Sequence, residues 1–78
     1  MKESIFKRIE EIHMKLNRAL MNFGDSKVAE VVRNGYKKTE AKEELSIYLD
    51  WMEYLVQNHP FNRGYWATMS AIRRRMTK

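Results

Sequence analysis

Apolar side chains recur along the first third of the chain in alternating steps of four and three: Ile5, Ile9, Ile12, Leu16, Ala19 and Phe23. At about 100° per residue these positions fall on one stripe, widened by Leu20, which predicts an amphipathic helix over about 3–23. Gly24 suits the left-handed position after a helix, and Asp25 or Ser26 suits the N-cap of the next. This second helix is predicted to be short, about 26–33, with Val28, Ala29, Val31 and Val32, and to stop at the turn signal Asn34-Gly35. Three valines also favour a strand, but a lone strand has nothing to pair with.

Thr39 suits the N-cap of a third helix over about 39–58, with Glu40, Glu43 and Glu44 at the positive end of its dipole. Its core stripe is Ala41, Leu45, Tyr48, Leu49, Met52, Leu55 and Val56, and Pro60 ends it. Asn62 is the N-cap of a fourth helix over about 62–76, with Phe61, Tyr65, Met69, Ile72 and Met76 on its inner side. Arg73, Arg74 and Arg75 complement the negative end of that dipole. Three longer helices and one short one, joined by brief turns, predict an all-α compact bundle, a single domain over 1–78. A core of this size leaves a small margin of stability, which makes a homodimer one alternative.

Composition narrows the class. Nine aromatic and six methionine side chains exclude a disordered tail. The absence of cysteine excludes a disulfide framework and a thiolate metal site. Glu3, Lys7, Arg8, Glu10 and Glu11 interrupt any leader-like apolar run, and no stretch approaches the roughly 18–20 residues of a membrane span. The expectation is a soluble cytoplasmic protein without membrane contact. The net charge of +5 is unevenly distributed: residues 39–58 carry one basic and five acidic side chains, and residues 59–78 carry five basic and none acidic. This favours anionic partners weakly.

No motif for catalysis is present. The glycines at 24, 35 and 64 are isolated, so no phosphate-cradling loop exists. His13 and His59 stand alone, so neither a metal nor a cofactor is expected. The serines at 4, 26, 46 and 70 have no nucleophile-elbow context. Glu40, Glu43, Glu44, Asp50 and Glu53 read as solvated carboxylates on an exposed helix face rather than as an acid–base pair. The chain is expected not to be an enzyme, with no catalytic residues.

Four features are candidates for binding. Ile47, Trp51 and Tyr54, flanked by Glu43 and Asp50, form a second apolar ridge on the third helix. It is either covered by the fourth helix or free as a protein-binding patch. Arg63, Ala67, Ser70, Ala71, Arg74 and Lys78 share one face of the fourth helix, with Arg73 and Arg75 pointing elsewhere, where they can pair with acids of the third helix. With Lys37, Lys38 and Arg75 this basic set suits a phosphate backbone or an acidic protein surface. Met14, Asn17 and Met21 lie on the outer side of the first helix. His59 to Gly64 form the last turn, where His59 is a pH-sensitive group.

Residues Gly24 to Val32 are similar to the opening helix of the helix-turn-helix in the activators of temperate phages. The similarity covers nine residues. The turn glycine would then fall on Arg33, and the next apolar positions fall on Asn34, Thr39 and Lys42. The leading reading is therefore a small non-enzymatic regulator or inhibitor, of bacterial or phage scale, that docks a helical surface on a larger protein. A nucleic-acid-binding regulator and a self-associating subunit are the alternatives.

Overall fold

The computed structural model describes residues 2–78, and the side chains from Ile5 onward. Four helices follow one another with no strand among the described residues: α1 (Lys2–Phe23), α2 (Asp25–Tyr36), α3 (Lys42–Asn58) and α4 (Arg63–Met76). They form an all-α globule of 40 × 32 × 17 Å. Helices α2 and α3 are central, each packing on the other three. Among the described residues α1 meets α2 and α3 but not α4.

The core follows the predicted stripes where helices overlap. Leu16, Val28, Val32, Leu45, Met52, Leu55 and Ile72 are fully buried at its centre. Elsewhere the stripes run past their cover. At about 1.5 Å per residue, the 22 residues of α1 reach about 33 Å and the 12 residues of α2 about 18 Å. The first turns of α1 thus overhang, and Ile5 and Phe6 are exposed. Phe23, at the end of α1, and Phe61, in the last turn, are also exposed, the latter at 96%.

The helix ends depart from the pattern in specific ways. Gly24 adopts φ 97° and is itself the N-cap of α2, so neither Asp25 nor Ser26 caps it. Asp25 is engaged elsewhere, its Oδ2 lying 2.6 Å from His59 Nε2 at the end of α3. The Asn34-Gly35 pair does not stop α2, which continues to Tyr36. Here tertiary packing overrides a local turn signal: Tyr36 packs on the core, and the Tyr48 ring lies against the backbone of Gly35. Helix α3 begins at Lys42, behind an Ala41 N-cap without side-chain help. Thr39 is buried two residues earlier, and its Oγ1 accepts from Ala41 N at 3.2 Å. Asn62 caps α4 as predicted, with Oδ1 accepting from Tyr65 N at 3.0 Å.

Two arginines tie the layers together. Arg33 Nε donates to Thr68 Oγ1 at 3.0 Å and its guanidinium sits 5.9 Å from the Tyr65 ring centre, joining α2 to α4. Arg75 Nε donates to the Thr39 carbonyl at 2.8 Å and Nη2 to the Lys37 carbonyl at 3.1 Å. These bonds hold the turn between α2 and α3 against the end of α4. No helix among the described residues is long and apolar enough to cross a membrane.

Candidate functional site

The second ridge of α3 is split by its packing. Glu44 pairs with Arg8 of α1, and Trp51 lies beside Leu20 of α1. These two pairings, one an ion pair and one across a shared cleft, follow the same chain order, so α1 and α3 run side by side in one direction. Ile47 falls on the flank between them and is 92% removed from solvent, with 8% exposure remaining. It belongs to the core, which corrects its reading as part of an exposed ridge. On either side of it along α3, Glu44 and Trp51 face Arg8 and Leu20 of α1.

Past Ile47 the flank opens. Trp51 is half-buried against the core, and Tyr54 is 43% exposed. Their rings meet edge to face, centres 6.2 Å apart at 83°, the arrangement favoured by the aromatic quadrupole. With Leu20 and Asp50 they line an open cleft of about 310 Å³. The period of α1 places Phe6, Ile9 and His13 within about 40° of Leu20, extending the same flank towards the overhanging turns. Of the five ridge residues, the structure brings Asp50, Trp51 and Tyr54 together. Glu43 is exposed two turns away and does not line the cleft.

A second hollow of about 280 Å³ lies between α1, the end of α2 and the start of α3. Arg8, Glu11, Lys15, Lys38, Glu44 and Tyr48 are among its walls. Glu44 is 3% exposed, which corrects its reading as a solvated carboxylate. The spacing that puts it beside Ile47 and Trp51 turns it towards α1, where Arg8 Nη2 donates to Oε1 at 3.1 Å. Arg8 is equally 3.1 Å from Oε2 but outside hydrogen-bonding direction, so Oε2 is buried without a donor. Burial pushes the Tyr48 hydroxyl above its ordinary pKa; the Glu44 carboxylate adds to the shift and Arg8 opposes it. Sequence periodicity offers no signal for this hollow, because its walls come from three separate segments.

The basic residues sort by their partners. Arg63, Arg74, Lys78, Lys37 and Lys38 are exposed. Arg73 Nη2 reaches Glu53 Oε2 at 3.2 Å, the predicted pairing with an acid of α3. Arg75 is instead half-buried on backbone carbonyls, which removes it from the free basic face. Its bonds bring Lys37 and Lys38 towards the end of α4 that carries Arg74 and Lys78. Arg63 stands at the opposite end of that helix.

Met14, Asn17 and Met21 are exposed on the outside of α1. His59 packs edge to face on Tyr65 at 5.6 Å, and its contact with Asp25 binds the last turn to the start of α2. Trp66 was not singled out by pattern. It is half-exposed, with Nε1 donating to the Pro60 carbonyl at 2.7 Å; its only sequence signal is an aromatic beside the core residue Tyr65. Among the described residues no group of three His, Asp or Glu side chains is placed to hold a metal ion. In comparison with known proteins, the chain matches no family, no curated protein and no solved structure.

Proposed function

We propose that the chain is a non-enzymatic regulator or inhibitor that acts by docking the α1–α3 face on a larger protein. The observation that carries this reading is the open cleft lined by Leu20, Asp50, Trp51 and Tyr54. Trp and Tyr on a rigid helix lose little side-chain entropy on binding and supply much contact area, the chemistry of interface hot spots. Asp50 at the rim selects for a cation beside the partner's apolar anchor. Affinity capture on the wild-type chain, followed by binding of the captured protein to wild type and to Tyr54→Ala, tests it, with at least a tenfold loss expected in the variant.

A second reading rests on a separate observation. The Arg75 bonds hold the turn that carries Lys37 and Lys38 against the end of α4 that carries Arg74 and Lys78. A cluster of this kind suits a phosphate backbone, and its affinity would fall steeply with salt. Anisotropy of labelled duplex DNA and single-stranded RNA at two salt concentrations separates the two readings. Self-association through the aromatic cleft is the remaining alternative, read by sedimentation over a range of concentrations.

A further inference from the structure

The first turns of α1 carry apolar side chains that the fold leaves uncovered, and the far end of the same helix walls an open cleft. Phe6 is 68% exposed with Ile5 exposed beside it, while Leu20, Trp51 and Tyr54 line the cleft. The period puts Phe6, His13 and Leu20 on one line down α1, each seven residues from the next. Arg8, which meets α3 through Glu44, lies about 160° round the helix from Phe6, so Phe6 points away from its own α3.

An apolar side chain at one end of a line and an apolar cleft at the other make a surface complementary to itself. A two-fold axis across α1 at His13 runs two copies of the helix antiparallel and sets position 6 opposite position 20. Both clefts are then filled at once, each by Phe6 of the other copy. A two-fold axis along the helix would set Phe6 on its own copy and leave both clefts empty. Lys7, next to Phe6 in the chain, is exposed and supplies the cation that Asp50 favours beside an apolar anchor. The surface area points the same way. A compact monomer of this mass, 9.4 kDa, exposes about 5000 Å², and this chain exposes 5600 Å². The excess is of the order of the roughly 800 Å² that each partner gives to a standard interface.

We infer that, free of its protein partner, the chain is a two-fold homodimer in which Phe6 of each copy fills the Leu20–Trp51–Tyr54 cleft of the other, with His13 at the axis. This rests on the reading of the cleft as a docking surface and adds a resting state to it. A larger protein reaches the cleft only by displacing Phe6 of the second copy.

The test is sedimentation equilibrium of the full chain from low micromolar to millimolar concentration. Wild type is expected to pass from monomer to dimer over this range, with Phe6→Ala and Tyr54→Ala each associating at least tenfold more weakly. Both side chains are exposed in the single chain, so circular dichroism should show the helices kept. The chain has no cysteine, so one introduced thiol reports the axis. His13→Cys should give a disulfide-linked dimer on mild oxidation, and Arg18→Cys, on the other side of α1, should not. A wild type that stays monomeric throughout would overturn the dimer, and so would association unaltered by Phe6→Ala. Cross-linking of Arg18→Cys in place of His13→Cys would overturn the seam. A monomeric wild type whose captured protein still loses affinity with Tyr54→Ala would end the dimer and leave the docking reading standing. A Phe6-dependent dimer whose captured protein ignores Tyr54→Ala would do the reverse.

Discussion

Tyr48 packs so closely on Gly35 that a β-carbon at position 35 would lie 2.6 Å from Tyr48 Cζ. Glycine is therefore needed here for the close approach of a ring and not for a turn. Within a helix, Gly→Ala ordinarily stabilises by about 0.5–1 kcal/mol. Here the clash reverses that sign, because the Tyr48 ring is held in the core and moves only by disturbing its neighbours. Gly35→Ala is expected to destabilise by about 1–3 kcal/mol, the range for overpacking. Thermal melts read this as a drop of several degrees in Tm.

The two aromatic residues of the cleft should respond differently to truncation. Trp51 is packed on the core as well as on Tyr54, so Trp51→Ala is expected to cost about 1–3 kcal/mol of stability. Tyr54 is exposed, and Tyr54→Ala should stay within about 1 kcal/mol of wild type. Chemical denaturation of both variants checks the difference.

Arg75 and Arg74 are neighbours with separate tasks. Arg75→Ala removes two charge-assisted hydrogen bonds to the turn between α2 and α3, and a loss of about 1–2 kcal/mol is expected after allowing for solvent screening. Arg74→Gln should change stability by no more than about 0.5 kcal/mol. Hydrogen exchange at residues 37–41 should accelerate in the Arg75 variant alone.

Tyr48 gives the fold an alkaline limit. Its pKa is raised in the folded protein, first by burial and then by Glu44, so the folded state holds the phenolic proton more tightly than the unfolded chain. The contribution is fully present below the unfolded value of about 10 and is lost as pH rises through the higher folded value. Melts should therefore fall between pH 9 and pH 11, and less steeply in Tyr48→Phe.

Much of the bundle was legible because helices announce themselves locally. The Leu16–Ala19 stripe, the Leu45–Val56 stripe, the Asn62 cap and the outward methionines of α1 follow from period and capping chemistry alone. What escaped depends on contacts between distant segments. Glu44 is buried because Arg8, 36 residues away, lies across it. Ile47 is buried on the flank where Glu44 and Trp51 face α1, and the period of α3 carries no information about which helix covers a second flank. Thr39 failed as a cap because Arg75 holds its carbonyl and its hydroxyl turns to Ala41. The same limit applies to the candidate site: Trp51, Tyr54 and Asp50 were legible as a surface, and Leu20 as their opposite wall was not.

Docking through the α1–α3 cleft is tested by titration calorimetry of a protein captured on the wild-type chain against wild type, Tyr54→Ala and Arg63→Gln/Arg74→Gln/Lys78→Gln. At least a tenfold weaker affinity for Tyr54→Ala, about 1.4 kcal/mol or more, with unchanged melting and the Gln variant close to wild type, is the predicted result. Equal affinity for Tyr54→Ala and wild type, with the loss falling on the Gln variant instead, would contradict it and move the binding surface to the basic face of α4.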